Sequence, residues 1–304
     1  MISYFGRRVG EMLVTLLLIT LLVFCLARLT GDPTPLLTPV EATEDDKEFF
    51  RKQFGLDRSL PEQYLTFMRN IAGGNFGVSF RWREPALELV GRALGPTLKL
   101  AFAGMALAIL IGLPLGILAA ATRREWIKRL VDWYGSLGQA MPPFWVGLTL
   151  IMLLALWVPI FPTSGYGKLS NYALPSLTLA IFASSAVARL TQANMQEALR
   201  SDFVQLERVL GLSETRIFLK HALRNAALPV VTYLGLQFGL ILGGAIVTER
   251  VFAWPGIGQT VVEAVLNRDY PVVQATVLVT AVLIMLINLL VDILYMVLDP
   301  RVRA

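Results

Sequence analysis

Long apolar stretches alternate along this chain with shorter polar stretches that are rich in arginine and lysine. Six apolar stretches reach the roughly 20 residues that a helix needs to cross the hydrocarbon core of a bilayer. They are Val9–Leu29, Pro96–Ala121, Tyr134–Ile160, Ala173–Gln192, Pro229–Val251 and Val272–Leu298. The pattern predicts an all-α polytopic membrane protein with six transmembrane helices. The first stretch follows Arg7 and Arg8 as in a signal peptide, but no small-x-small cleavage site follows it, so we expect a retained anchor.

The composition supports a membrane protein and limits the kinds of chemical site that the chain can form. Of 304 residues, 55% are hydrophobic and 16% are charged, against about a quarter charged in soluble proteins. A single cysteine, Cys25, excludes an intrachain disulfide, and a single histidine, His221, leaves little material for a metal site. The net charge of +5 comes from basic residues beside apolar stretches, so membrane orientation explains it better than nucleic-acid binding.

Many basic residues beside the apolar stretches fall on one side of the membrane if there are six spans, and the short loops Pro162–Tyr172 and Glu249–Pro271 on the other side carry few. The basic residues on the first side are Arg7, Arg8, Arg123, Arg124, Lys128, Arg129, Arg200, Arg208, Arg216, Lys220, Arg224, Arg301 and Arg303. Because short cytoplasmic loops carry the excess of arginine and lysine, this side and both termini are predicted to be cytoplasmic.

The segment from Thr30 to Gly95 differs from the other connections, since it is mixed in charge and too long for a simple loop. We expect a mostly helical extracytoplasmic subdomain, opened by a non-helical stretch with Pro33, Pro35 and Pro39. The chain is accordingly divided into residues 1–95, the first span with this subdomain, and residues 96–304, a five-helix core.

A polar, helix-prone segment at residues 200–228 interrupts the core on its cytoplasmic side. Asp202 and Gln205 have the spacing of a capping box, and Gly211 is suited to end the helix in the left-handed conformation. Phe203, Leu206, Leu210 and, less regularly, Val204 predict an apolar face, with Glu207 and Arg208 facing away. After Leu212, Ser213 is predicted to cap a second helix that leads to Pro229.

This short helix has two plausible uses. It could lie in the headgroup region with its apolar side in the lipid, or it could present Phe203 and Leu206 to a groove in a soluble partner. The sequence carries no phosphate-binding loop, zinc-protease motif or nucleophile elbow, which argues against an intramembrane enzyme. A self-sufficient channel or ion-driven carrier would need ionisable residues at mid-span. Asp132, Arg189, Glu249, Arg250 and Asp292 instead lie near predicted span ends, where a structural role is expected.

Small residues recur every fourth position in two spans and predict close helix packing, either within the chain or against a partner. They are Gly235, Gly239 and Gly243 in the fifth span and Gly104, Ala108, Gly112 and Gly116 in the second, which Pro114 is expected to kink. Tyr233 and Gln237, one turn apart in the fifth span, are candidates to line a pore or to bond to a neighbouring helix.

The segment SDFVQLERVLGLSETRIFLKHALRNAALPVVT, from Ser201 to Thr232, resembles the cytoplasmic EAA loop of ABC-importer permeases, more narrowly those of the dipeptide, oligopeptide, glutathione and nickel family. An ordered set of further motifs carries the resemblance over nearly the whole chain. They are GDP (Gly31–Pro33), FGLDRSLPEQY (Phe54–Tyr64), GNFGVSF (Gly74–Phe80), PPFWVG (Pro142–Gly147), ALPSLTL (Ala173–Leu179), VFAWPGIG (Val251–Gly258), NRDYPVVQ (Asn267–Gln274) and LDPRVR (Leu298–Arg303).

The resemblance implies a type I ABC importer permease fold in a bacterial inner membrane and a function as half of a translocation pore. The implied partners are a second, usually non-identical permease, two ATPase subunits and an extracytoplasmic binding protein. ATP and magnesium would be used by the ATPases, and this chain would bind no cofactor or metal. Peptides are the leading substrate, with nickel, glutathione or another small solute as alternatives.

Two neighbouring positions depart from the family pattern. Where relatives carry small residues in the coupling helix, this chain has Leu206 and Glu207. We therefore expect a bulkier, acidic docking surface that fits an altered groove on its own ATPase.

Overall fold

The computed structural model describes residues 2–29, 43–53 and 55–298, and within these ranges the regular structure is helical. Pro33, Pro35 and Pro39, the GDP motif and the basic residues Arg301 and Arg303 lie outside the described residues. The helices are α1 (Ile2–Leu29), α2 (Glu44–Gln53), α3 (Leu60–Ala72), α4 (Ala86–Ala121), α5 (Glu125–Ala140), α6 (Pro143–Ile151), α7 (Leu169–Arg200), α8 (Asp202–Val209), α9 (Glu214–Arg216), α10 (Leu223–Val251), α11 (Ile257–Leu266) and α12 (Tyr270–Leu298). Two π-helical segments, Met152–Trp157 and Ile217–Ala222, follow α6 and α9.

Four of the described helices, α1, α4, α7 and α12, are individually long and apolar enough to cross a membrane. Two further spans are obtained if each of two bent helix pairs counts as one, which gives up to six. The membrane topology expected from the sequence is therefore compatible with the helices, although two of the six predicted spans are not single straight helices.

The third predicted span, Tyr134–Ile160, is broken in the structure. The helices on either side of Met141 and Pro142 meet at 105°. Met141 is extended, with φ −79° and ψ 126°. This break has a local cause, because a proline disfavours helical geometry in the residue before it and lacks an N–H to continue the helix.

The fifth predicted span was expected to begin at Pro229, but Pro229 lies inside α10, which begins at Leu223. The segments Glu214–Ala227 and Pro229–Gly243 bend by 46° at this point. Pro229 therefore kinks a helix instead of starting one, since its ring displaces the carbonyl one turn earlier and removes one hydrogen bond. Pro114 lies inside α4, which continues to Ala121.

The chain divides into two compact units, the first made of residues 1–95 and 259–285 and the second of residues 96–258 and 286–304. In the first unit α3 packs on α1 through an aromatic contact between Phe24 and Tyr64 and a 3.0 Å hydrogen bond between the hydroxyls of Thr20 and Tyr64. The same unit joins the GNFGVSF and NRDYPVVQ motifs, because the buried Asp269 accepts hydrogen bonds from the Ser79 hydroxyl and the Arg81 N–H.

In the second unit α7 is the central helix, and it packs against α5, α6 and α10. The glycines of α4 lie directly on it. A Cβ added at Gly112 would lie 2.7 Å from the carbonyl oxygen of Ser184, and one at Gly116 would lie 2.5 Å from that of Ala188. At Gly104 the Cβ would lie 3.0 Å from the Cβ of Leu179. This ladder therefore packs within the chain.

The small residues of α10 differ in what they pack against. A Cβ at Gly235 would overlap the side chain of Val291 on α12. A Cβ at Gly243 would meet no described atom within 4 Å. Intrachain packing therefore accounts for Gly235 but not for Gly243.

Candidate functional site: a short amphipathic helix, a charged groove and a buried carboxylate

The short helix α8 begins one residue earlier than the capping-box pattern indicates. Its N-cap is Ser201, in extended conformation, and Asp202 is the first helical residue. The Ser201 carbonyl accepts hydrogen bonds from the N–H groups of Val204 and Gln205. Asp202 therefore acts on the helix through its negative charge in the first turn, which the helix dipole favours, and not as the cap.

The end of α8 follows the prediction for Gly211, which has a φ of +78°. The Gly211 N–H donates to the Arg208 carbonyl at 3.0 Å, and the Leu212 N–H donates to the Glu207 carbonyl at 3.1 Å. These two bonds form a Schellman motif. Ser213 then occupies the N-cap position of α9, as expected, although its side chain makes no capping hydrogen bond.

The two faces of α8 are clearly distinguished by burial. Val204 is fully buried and fixes the helix to the rest of the chain. Phe203, Leu206, Val209 and Leu210 are exposed, and Leu206 keeps 59% of its accessible surface. The exposed apolar face therefore lies where the sequence predicts it, except that Val204 belongs to the opposite, anchoring face.

Glu207 does not form the acidic docking surface that was expected from its departure from the family pattern. Its carboxylate turns inward, and its Oε1 lies 2.9 Å from Nδ1 of His221 on the following π-helical segment. Next to it, Arg208 forms an ion pair with Glu214 at 2.8 Å, and the hydrogen bond to this carboxylate raises the pKa of the Arg208 guanidinium. The polar side chains of α8 therefore bind to residues that follow the Gly211 turn, and the outer face of α8 is apolar.

A groove of about 470 Å³ lies between α5, α7 and α10. Its lining residues carry both charges and several amides. They are Asp132, Gln139, Ala186, Arg189, Leu190, Gln192, Ala193, Gln196 and Tyr233. The volume lies within the range of about 300–1,000 Å³ that is usual for small-molecule sites.

The charged residues of this groove were given only a structural role near span ends. Arg189 lies on α7, which continues past the predicted span to Arg200, and its exposed side chain is laid across Gly135 of α5. Asp132 is one turn away on α5, and neither side chain has an ion pair or hydrogen bond with another described residue.

Tyr233 and Gln237, the two candidates for pore lining, are placed differently. Tyr233 lines the groove. Gln237 has only 1% of its surface exposed and is not among the groove residues, and neither atom of its amide has a hydrogen-bond partner among the described residues. The two residues thus lie one turn apart but in different surroundings.

The VFAWPGIG motif surrounds a carboxylate that sequence reasoning assigned to an interface. Glu249 has 0% of its surface exposed and accepts hydrogen bonds from the Thr97 hydroxyl and the Gly258 N–H, both at 2.6 Å. Thr97 in turn accepts from the Ile257 N–H at 2.8 Å. A Cβ at Gly256 would overlap the Glu249 carboxylate, so the glycine of this motif makes room for the buried charge.

Comparison with known proteins places these features in a family. The family described as "Binding-protein-dependent transport system inner membrane component" matches residues 112–304, and the N-terminal membrane component of the same systems matches residues 1–101. The chain belongs to this permease family. It is a permease component of an ABC importer, a pore-forming subunit and not a catalytic one.

Relatives and solved structures agree with this membership. The permease is 40% identical over 304 residues to the glutathione transport system permease protein of Escherichia coli (strain K12), covering 100% of this chain and 99% of the relative. The corresponding protein of Salmonella paratyphi A shows the same 40% identity and coverage.

Two ABC transporters of known structure share the fold of the permease. The inward-facing MetNI methionine transporter gives a TM-score of 0.58 at 19% identity, over 69% of this chain and 96% of the other. An amino acid ABC transporter with histidines gives a TM-score of 0.53 at 20% identity, over 70% of this chain and 94% of the other. These likenesses establish the type I importer permease fold that the sequence predicts.

Proposed function

We propose that this permease forms one half of the pore of a bacterial importer for short peptides, with the tripeptide glutathione among its substrates. The observation that carries the proposal is the 40% identity to a glutathione permease along the full length of both chains. The groove beside Arg189 and Asp132 supports it, because a peptide with free termini carries a carboxylate and an ammonium group.

The orientation follows from the basic residues that border the described helices. Arg7 and Arg8 lie at the start of α1, Arg124 precedes α5 and Arg200 ends α7. The excess of positive charge beside these ends favours the cytoplasm for them and for both termini. The helices α2 and α3 then lie outside the cell membrane, on the side from which a binding protein delivers substrate.

Energy for transport comes from partner ATPases that bind ATP and magnesium. The support is the exposed apolar face of α8 on a helix that is anchored by Val204 and ended rigidly at Gly211. A rigid, amphipathic helix is suited to a groove on a soluble partner and can transmit its movement to α7 and α10. We therefore propose that α8 is the coupling helix.

A second, homologous permease completes the pore in this proposal. Gly243 on α10 supports it, because its surface is open in the described part of this chain and a small residue allows close approach of another helix. The pore then lies between two permease chains, with one α8 for each of two ATPases.

The test is uptake by proteoliposomes that contain the complete complex, expressed from its own operon with the binding protein. Labelled glutathione, an unrelated dipeptide and nickel ions are supplied separately, with ATP enclosed in the vesicles. ATP-dependent accumulation of glutathione or the dipeptide is the expected result. Accumulation of nickel alone would show that the substrate is a metal ion and not a peptide. Recovery of the chain without ATPases or a second permease would contradict the proposed complex.

A further inference from the structure

The groove between α5, α7 and α10 holds two opposite charges that no described residue neutralises. Arg189 and Asp132 both line it. Neither makes an ion pair or hydrogen bond with another described residue. Charged side chains in membrane-spanning helices are costly unless they face water, a partner group or a ligand. Arg189 and Asp132 are both exposed on the described helices, so they meet this condition and remain available to a ligand in the groove.

The contact between α5 and α7 determines where the Arg189 side chain lies. A Cβ at Gly135 would lie only 2.3 Å from Cδ of Arg189. The absence of a side chain at Gly135 therefore lets the arginine stem lie flat on α5 and directs the guanidinium along this helix. Asp132 precedes Gly135 by three residues and lies on the same side of α5, about 4.5 Å away along the axis.

The amides of the groove add neutral hydrogen-bonding groups beside the charges. Gln192 is about nine-tenths buried, lines the groove and has an Oε1 without a hydrogen-bond partner among the described residues. A buried carbonyl oxygen of this kind costs free energy until a donor reaches it. Gln139, Gln196 and Tyr233 supply further donors and acceptors at the same surface.

We propose that this groove is a binding site for the transported peptide inside the permease. Arg189 binds a carboxylate of the peptide, Asp132 binds its ammonium group, and Gln192 accepts a hydrogen bond from a peptide N–H. The inference rests on the proposed function, which it extends by placing substrate selection in the permease as well as in the binding protein. A zwitterionic lipid headgroup has the same charges, and the experiment separates the two ligands.

The test is equilibrium binding of labelled glutathione to the complete complex in nanodiscs of phosphatidylglycerol, without binding protein. Arg189→Gln and Asp132→Asn are each expected to weaken binding about tenfold or more, the effect of losing a charge-assisted hydrogen bond. Arg124→Gln and Glu125→Gln are the controls, since both residues are exposed and lie outside the groove. These controls should change the affinity by no more than about twofold.

Capped ligands separate a direct contact from a structural effect. Glutathione diethyl ester should bind weakly to the unaltered complex and lose no further affinity in Arg189→Gln, because the contact is already missing. N-acetyl glutathione should behave in the same way with Asp132→Asn. If Arg189→Gln does not assemble, Arg189→Lys keeps the charge without the planar fork and should bind glutathione with intermediate affinity.

The outcomes are distinguishable from a failure of the proposed function. Equal binding by the unaltered complex and both variants, or no binding at millimolar glutathione, overturns the groove site even if the proteoliposomes take up peptides. Retention of phosphatidylethanolamine by the unaltered complex and its loss in Arg189→Gln, without glutathione binding, assigns the groove to lipid. Nickel uptake alone overturns the proposed function instead.

Discussion

At the scale of single residues, the most constrained group in the described chain is the carboxylate of Glu249. Both oxygens accept hydrogen bonds, one from the Thr97 hydroxyl and one from the Gly258 N–H. The Gly258 N–H can only donate, and the Thr97 hydroxyl already accepts from the Ile257 N–H, so both oxygens of the group at this site act as acceptors. A buried carboxylate meets this requirement, and the surrounding glycines allow it to fit.

We predict that Glu249→Gln destabilises the protein by about 1–3 kcal/mol, because the new amide NH₂ group must point at one of two existing donors. The measurement is the midpoint of thermal unfolding in detergent, followed by size-exclusion chromatography. Glu197→Gln is the control, since Glu197 is exposed on α7. An unfolding midpoint equal to that of the control would contradict the requirement for two accepting oxygens at this site.

The sequence allows some single residues to be predicted and not others. Gly211 was predictable because a glycine after an amphipathic turn has one common use, and its positive φ agrees. The burial of Glu249 was not, because a charge near the end of an apolar stretch usually lies at the interface. The donors to this carboxylate come from Thr97, far away in the chain, and from Gly258 at the start of α11, and no periodicity brings them together.

At the scale of helices, the faces of α8 divide into an anchoring side and an outer side. Val204 and Glu207 hold the helix against its own chain, while Leu206 and Phe203 remain exposed. An exposed apolar face that is held in position by its own buried residues has the geometry of a docking element.

We predict that Leu206→Asp lowers the amount of ATPase that co-purifies with the permease and the ATP hydrolysis that loaded binding protein stimulates. A charge in the contact would have to lose its water on docking. Leu60→Asp is a matched control, because Leu60 on α3 has the same 59% exposure and lies outside the cytoplasmic segment. Equal ATPase recovery from both variants would instead favour a helix that lies in the headgroup region.

The glycines of α4 and α10 give a second prediction at this scale. Gly116→Ala should destabilise the chain by about 1–3 kcal/mol, because its Cβ would lie 2.5 Å from the backbone oxygen of Ala188. Gly243→Ala should be neutral or stabilise by up to about 1 kcal/mol, since alanine favours helix and the space is open. Thermal unfolding of the isolated chain in detergent measures both. Equal effects of the two substitutions would contradict this packing.

The apolar pattern predicted where the helices lie better than how they bend. Four of the six apolar stretches fall on single described helices and the other two on bent helix pairs, because burial in lipid requires continuous apolar length. The 105° break after Ala140 and the 46° bend at Pro229 were not predicted, although both involve prolines visible in the sequence. A proline inside a span is tolerated when neighbouring helices form hydrogen bonds with the freed carbonyl. Packing therefore decides whether a helix ends at the proline, bends there or continues straight.

At the scale of the whole molecule, the positions of the ionisable groups help to distinguish transport driven by ATP from transport driven by an ion gradient. An ion-driven carrier needs a buried group that gains and loses a proton or cation during the cycle. Glu249 and Asp269 are both fully buried among the described residues. Glu249 accepts hydrogen bonds from Thr97 and Gly258. Asp269 accepts them from Ser79 and Arg81, which fits a structural role for each carboxylate. Arg189 and Asp132 lie in an open groove, where a zwitterionic substrate can neutralise both.

This arrangement favours a pore whose movement is imposed from outside, through α8, over one that is driven by its own titration. We predict that proteoliposomes with the complete complex accumulate peptide only when ATP is hydrolysed. A non-hydrolysable ATP analogue, or a proton or sodium gradient imposed without ATP, should give uptake no higher than empty vesicles. Leu206→Asp should lower ATP-driven uptake, whereas Leu60→Asp should not. Gradient-driven uptake by the permease alone would instead identify a carrier, and the exposed face of α8 would then need another explanation.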